Sequence, residues 1–393
     1  MEGKTMFERL RVRSNADKDE LNILLVMLVC IMPYMHYVPS SFLLIVTGLS
    51  VLAIKRTRAL VIMQKEICIV GAAIVVLSGA GAAFSGNVIG LAVTLGIFLI
   101  FILLAYLKSV MTPFLTRLAF RTVGVGGIFT FVIVIIQRIS ERDPGYRPTG
   151  WQWNANYLGA VSVLSAMICL LSVLDGCGCD EKRLITPEKC FFTASLLCNC
   201  ASILICESRS SLLGLMACVA VILLLKKRFV IFSLCAVLGA SVWALGYFKP
   251  ELFGWANSLT YVFTQRFDIW MDAFRSFSQG PTEMLFGRGP MTYRFVWEAE
   301  GLYQADHAHN ILFDTLINVG VVGLFLYLAL LFFIAKDALK GLKEGNKRAF
   351  AFTAVALTAV AAQGTADVTI MWHQTALLFV LMCGARPKEL SDN

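Results

Sequence analysis

The chain has 393 residues, of which 58% are hydrophobic and 15% charged, and its formal net charge is +8. That balance excludes a soluble single domain and points to a polytopic membrane protein. The positive charge does not signal nucleic acid, because in a membrane chain cationic loops hold the topology from the cytoplasmic side.

The first twenty residues are polar and carry Lys4, Arg9, Arg11, Arg13 and Lys18. No small-residue cleavage site follows the first apolar run, so this end does not read as a cleavable signal. A spanning helix needs about 20 mostly apolar residues. Twelve runs answer to that description: 21–36, 40–54, 66–84, 87–107, 120–137, 156–174, 188–206, 209–225, 229–247, 309–335, 349–366 and 371–385. The first two are short enough to be tilted or re-entrant. The expectation is an all-α polytopic protein of about 12 transmembrane helices, forming a single membrane domain over residues 1–393.

Three polar elements interrupt the runs on one side. The first, 138–155, is rich in charge, Pro, Gly and Trp. The second is the tight turn Glu207-Ser208-Arg209-Ser210-Ser211. The third, 248–308, is the only one long enough to fold on its own and reads as a large extracytoplasmic loop between the ninth and tenth helices. Within it Val262, Arg266, Ile269, Trp270, Ala273 and Phe277 recur at helical spacing, which predicts an amphipathic helix over about 258–278 lying on the membrane. Gly280-Pro281 ends that helix, and Leu285-Phe286-Gly287-Arg288-Gly289-Pro290 makes a tight turn. A lone Gly-x-Gly that follows no strand is not a dinucleotide site.

Lys and Arg give an independent check on topology. With the N-terminus inside, the outside segments hold Arg138, Arg142, Arg147, Arg209, Arg266, Arg275, Arg288, Arg294 and Lys249, and the rest of the 34 cations lie inside. Both termini are therefore expected in the cytoplasm. All but one of the outside cations are arginine, whose planar fork of donors suits phosphate or carboxylate oxygens. An anionic ligand outside is one reading. Pairing with lipid headgroups or with Glu141, Asp143, Glu207 and Asp268 is the other.

The twelve cysteines fall mostly inside apolar runs, as Cys198, Cys200, Cys206 and Cys218 do, and read as small hydrophobes. Cys177-Gly-Cys179 has no second Cys or His cluster to complete a metal site. No metal and no cofactor is expected.

Residue types that carry chemistry gather at the outer edge. Arg209, flanked by Ser208, Ser210 and Ser211, sits where a helix begins, and serine caps with a helix N-terminus favour an anion such as a diphosphate. Arg266 and Trp270 lie one turn apart on one helix face. His309 falls at the start of a long helix that continues through Asn310, Asp314, Asn318, Gly320 and Gly323. A neutral imidazole is a suitable general base for a sugar hydroxyl, and Asn310 can orient that hydroxyl or the ring. His307 is expected to point elsewhere and ranks second. His36 and His373 are expected to be structural. Asp314, costly inside a membrane, should have a polar partner.

Four motifs in order resemble the O-antigen ligase and O-antigen polymerase superfamily of bacterial envelope glycosyltransferases. Arg147-Pro-Thr-Gly150 with Asn154-Ala-Asn156-Tyr-Leu-Gly159 is similar to its Asn-x-Asn-x-x-Gly element. Glu207-Ser-Arg209-Ser210 is similar to its Ser-Arg-Ser turn. Arg266 with Trp270, then Gly287-Arg288-Gly289, resembles the large-loop pattern. His309-Asn310 followed by Gly320-x-x-Gly323 resembles the ligase signature. The resemblance implies metal-independent, inverting transfer of a glycan from a polyprenyl-diphosphate donor to an acceptor hydroxyl at the outer side of the bacterial cytoplasmic membrane. It implies His309 as base and Arg209 and Arg266 as diphosphate binders. Arg147, Asn156, Ser210, Trp270, Arg288, Asn310 and His307 are expected as secondary substrate contacts. The implied partners are a lipid-linked oligosaccharide or polysaccharide donor, a glycan or glycolipid acceptor and membrane lipids, with no nucleic acid.

Ligase and polymerase share the donor and differ in acceptor, and the spacing from His309-Asn310 to the paired glycines favours the ligase. A twelve-helix polysaccharide or lipid-linked glycan transporter is the rival of a different class. Transporters show related halves and mid-membrane ionisable residues. Here the halves differ and the ionisable residues sit at the edge.

Overall fold

The structure, a computed structural model, describes residues 19–143, 145–175, 185–248, 254–295 and 305–388. Cys177, Cys179, Lys249 and the polar N-terminus lie outside the described residues. Among those described there is no strand. The helices in chain order are α1 (Glu20–Ile31), α2 (Tyr37–Ala53), α3 (Lys55–Ile62), α4 (Lys65–Phe84), α5 (Val88–Val110), α6 (Pro113–Ser140), α7 (Ala155–Asp175) and α8 (Pro187–Ile205). They continue with α9 (Arg209–Leu225), α10 (Phe229–Phe248), α11 (Gly254–Phe277), α12 (Pro281–Phe286), α13 (Ile311–Lys343), α14 (Lys347–Gly364) and α15 (His373–Gly384).

Each of the twelve apolar runs is helical. By length and composition α4, α5, α6, α7, α8 and α13 suffice to cross a membrane, and α2 with α3 adds a seventh if that pair, bent by 89°, is one broken span. The chain is therefore a polytopic helical membrane protein. Helix starts follow elementary capping chemistry. Thr112 and Thr186 cap α6 and α8 ahead of a proline at the first position, and Asn87 and Asn310 cap α5 and α13.

α7 is the central helix. Its apolar window is 83% buried, whereas those of the other five candidates are 28–39% buried. Those five bury one face against their neighbours and turn the other outward, with Ile69, Val76, Leu197 and Phe325 exposed. Such a surface suits lipid and would aggregate in water.

α13 is broken at Gly320, whose backbone adopts φ 65 and ψ −170. A left-handed residue there removes helical donors from the carbonyls of Ile317 and Asn318. The turn after α12 supplies replacements: Arg288 N–H donates to Ile317 O at 3.2 Å and Gly289 N–H to Asn318 O at 2.7 Å. Thr292 N–H donates to Asn318 Oδ1 at 3.1 Å, and Asn87 Nδ2 holds the Pro290 carbonyl at 2.7 Å. Gly287 and Gly320 permit this approach. A Cβ on Gly320 would lie 2.3 Å from the backbone of Leu285, and one on Gly287 2.4 Å from the backbone of Asn318. Gly287-Arg288-Gly289 is thus a plug for a helix break.

The amphipathic helix expected at about 258–278 is present as the C-terminal part of α11, with one correction. The stripe of Ile269, Ala273 and Phe277 is buried against Tyr293, Ala305, Ala308 and Ile317, so it packs on α13 and its approach. Phe267, Met271 and Phe274, on another face of the same helix, are exposed. Helical spacing identified an apolar stripe without specifying which surface covers it.

Gly320→Ala should lose more stability than Gly86→Ala. Gly86 shares a positive φ of 66 but has nothing within 4 Å of its Cβ position. Gly86→Ala then meets only left-handed strain of roughly 1–2 kcal/mol, while Gly320→Ala adds an overpacking penalty of about 1–3 kcal/mol. Thermal unfolding in detergent measures both, and equal losses would show that the plug yields without cost.

Candidate functional site

The polar cluster lies where the start of α13, the end of α14, the start of α7 and α11 meet. At its centre is Asp367, in the loop after α14, whose side chain is 1% exposed. Four donors surround it. Val368 N–H donates to Oδ1 at 2.9 Å, and Asn156 Nδ2 donates to Oδ2 at 2.6 Å. His309 Nδ1 lies 3.2 Å and His307 Nε2 3.3 Å from Oδ1. Burial raises the pKa of this carboxyl, but the hydrogen bond from His309 and the charges of His307 and His309 outweigh it and hold the group below the usual carboxylate range.

Tautomers follow from the backbone. His309 N–H can only donate, and it donates to His307 Nδ1 at 3.2 Å. In neutral His307 the proton is therefore on Nε2, facing Asp367. Burial pushes the His307 imidazole below its ordinary pKa, against the pull of Asp367. With His309 Nδ1 donating to the same carboxylate, its Nε2 is left as the basic nitrogen. The His309 side chain is 23% exposed, so this ring reaches solvent while Asp367 does not.

His309 adopts a positive φ of 50. It lies outside the helix: α13 begins at Ile311 and Asn310 is its cap, accepting from Leu312 N–H at 2.9 Å and Phe313 N–H at 3.4 Å. The left-handed turn at His309 brings side chains two residues apart onto one carboxylate. For that reason His307 faces the cluster, where the sequence reading turned it away. Asn310 also donates to Thr365 O at 3.3 Å, so its amide ties α13 to the loop carrying Asp367. Asp314 has the polar partners its position requires, Ala308 N–H at 3.0 Å and Asn318 Nδ2 at 2.8 Å.

The other candidate residues enter from three directions. Arg147 donates through NH2 to Asn156 Oδ1 at 2.9 Å and to Glu207 O at 3.2 Å, and through Nε to Cys206 O at 3.0 Å. One guanidinium thus joins the 145–155 loop, the turn before α9 and the Asn156 that holds Asp367. Arg209 is exposed at the first position of α9, two residues beyond Glu207, and Ser210 is buried with Ser208. Arg266, on α11, donates to the carbonyls of Ala366 and His309. Trp270, one turn on, stacks with Phe313 at 5.9 Å and 20°, and its Nε1–H is buried with no hydrogen-bond partner among the described residues. Arg288 is paired with Glu283 at 3.6 Å and with Gln279, beside the helix plug. His373 bonds Ser40 at 2.9 Å and His36 accepts from Val38 N–H at 3.4 Å.

The sequence reading missed Asp367. A signal was there: it is the sole carboxylate between Glu344 and Glu389, placed between two apolar runs. His307, His309 and Asp367 have the residue types of a metal site, with ligand atoms within 4.8 Å of one another. In neutral His307 the nitrogen facing the carboxylate carries a proton where a metal needs a lone pair, while the His309 ring can present either.

These features define the class: a polytopic, all-helical membrane protein whose interhelical loops build an imidazole–carboxylate site. Residues 194–328 match the family model of the O-antigen ligase, in line with the resemblance of the motifs that lie within that segment. No curated protein matches the chain. The matched segment holds Arg209, Arg266, His307 and His309, while Arg147, Asn156 and Asp367 come from outside it.

His307 gives a pH signature. Because its folded-state pKa lies below the unfolded value of about 6.5, the folded chain resists a proton that the unfolded chain accepts. Its contribution to stability is present above about pH 6.5 and is lost as pH falls. The thermal midpoint of the wild type should therefore fall more between about pH 7 and pH 5 than that of His307→Gln. Parallel curves would refute the burial argument.

Proposed function

We propose that this protein is a metal-independent glycosyltransferase that moves a glycan from a polyprenyl-diphosphate donor to an acceptor hydroxyl on the outer side of the cytoplasmic membrane, with both termini inside. The observation that carries the proposal is the hydrogen bond between buried Asp367 and His309 Nδ1, which leaves Nε2 basic and partly exposed. All twelve apolar runs would span the membrane in this reading, with 248–308 as the outer loop.

In the reaction His309 Nε2 takes the proton of the acceptor hydroxyl. The acceptor oxygen bonds to the anomeric carbon as the bond from that carbon to the diphosphate oxygen breaks, with inversion. The diphosphate leaves with the electron pair. Asp367 stabilises the imidazolium that forms and holds the ring in one tautomer, as a carboxylate does behind any histidine base. Arg266, whose charge sits beside the imidazole loop, and Arg209, at a helix N-terminus, favour the negative charge that builds on the leaving group. An apolar cavity of about 650 Å³, lined in part by Ile311, Leu312, Met371 and Trp372, lies next to these loops and suits part of the donor's hydrocarbon chain. A ligase acceptor, meaning lipid A-core or another envelope glycolipid, is preferred over a growing polymer on the His309-Asn310 to Gly320-x-x-Gly323 spacing.

Purified protein with a polyprenyl-diphosphate glycan and candidate acceptors tests the reading. Wild type should transfer in EDTA, and His309→Ala should not. Asp367→Asn should lose about 10²–10⁴ in kcat, the range of general-base catalysis. Full activity in either variant removes the base assignment, and loss of wild-type activity in EDTA that returns with added metal removes the metal-free reading. Arg266→Lys keeps charge but not the fork, so transfer should weaken; an unchanged rate would show that charge alone suffices there.

A further inference from the structure

An aromatic path leaves the polar cluster on the His307 side. The rings of His309 and His307 are 4.4 Å apart at 74°, and Tyr157 lies 6.4 Å from His307. Tyr157 stacks face to face on Trp372 at 5.0 Å and 3°. Trp372 in turn meets Trp153 at 6.2 Å and Tyr37 at 6.1 Å, and the last two pack edge to face at 5.0 Å and 83°. Exposure rises along this path. Tyr157 is 6% exposed, Trp372 and Tyr37 are half-buried, and Trp153 is 52% exposed.

We infer that Trp153, Tyr37 and Trp372 form a saccharide-binding platform for the acceptor glycan, seating sugar rings remote from the hydroxyl that reacts. This rests on the glycosyltransferase reading above. Pyranose rings present faces of polarised C–H groups, which are attracted to the negative face of an aromatic ring. None of the three platform side chains carries a formal charge, so the platform suits neutral rings, while the donor's diphosphate needs arginine. Its inner end reaches the His307 imidazole, and through it His309, by way of Tyr157, so a glycan lying on it is aligned with the base.

Tryptophan and tyrosine at a membrane boundary also serve as lipid anchors. Here the rings come from three segments far apart in the chain, the start of α2, the loop before α7 and the loop between α14 and α15, and they converge on one another. Trp372 is held in place by its Nε1–H, which donates to Gln374 Oε1 at 2.8 Å. A fixed, stacked ring is a rigid surface for another ring to lie on, where a lipid anchor needs no such constraint.

The test is saturation-transfer NMR on the detergent-solubilised full chain. The probe is the set of neutral oligosaccharides released by mild acid from the source cells' envelope glycolipids. Wild type and Trp153→Tyr should transfer saturation to the sugar C–H protons. Trp153→Leu, which keeps apolar bulk but loses the ring, should raise the apparent Kd about 3- to 10-fold, as expected for one lost aromatic contact. Thermal midpoints of all three proteins confirm that each is folded. No transfer to any oligosaccharide by wild type, or equal binding by Trp153→Leu, overturns the platform. Glycan transfer measured in parallel separates the two proposals. Trp153-dependent binding without His309-dependent transfer removes the enzyme reading and keeps the platform. Transfer without Trp153-dependent binding does the reverse.

Discussion

A buried carboxylate organises this end of the molecule. Taking an ionised carboxyl out of water costs several kcal/mol even after relaxation, and Asp367 bears that cost only because four donors converge on it. The donors come from three segments, the start of α7, the approach to α13 and the loop after α14, so satisfying one charge fixes the relative positions of these helices. Asn156 is itself held by Arg147, which reaches to the carbonyls before α9. The loops at this end of the bundle are thereby joined through a single network of hydrogen bonds, in which the His309 imidazole is partly exposed and Asp367 is not.

The second constraint is the break in α13. A continuous helix through Gly320 would leave no acceptors for the turn after α12. The left-handed glycine frees two carbonyls, and the N–H groups of Arg288 and Gly289 take them. This anchors α12 and the residues leading from α11, and α11 then carries Arg266 to the carbonyls of His309 and Ala366. The glycines at 287 and 320 therefore act on the site at a distance, by letting two backbones touch where any side chain would separate them.

The same hydrogen bonds bear on two chemistries that share residue types. Two histidines and an aspartate are a ligand set when their lone pairs converge and an acid–base unit when their protons do. In this site the backbone N–H of His309 occupies His307 Nδ1, which places the His307 proton on the carboxylate side. With His309 Nδ1 directed at the same carboxylate, the base we propose is Nε2 of the partly exposed His309 ring.

The sequence determined the helices, their approximate ends and the residues worth testing, because apolar runs, caps and charge bias are local properties. His309, Arg147, Asn156 and Arg266 were legible as members of ordered motifs, and the structure gathers them around one carboxylate. Asp367 was not legible, although it is isolated between two apolar runs, because its significance lies in partners 58 and 211 residues away. His307 was misread for a related reason: the backbone reversal at His309 requires a positive φ that a non-glycine residue does not announce. Likewise the spacing in α11 revealed a buried stripe, and only packing decided that protein covers it. Local chemistry specifies what each segment can be; the folded chain alone specifies which segments share a charge, a kink or a face.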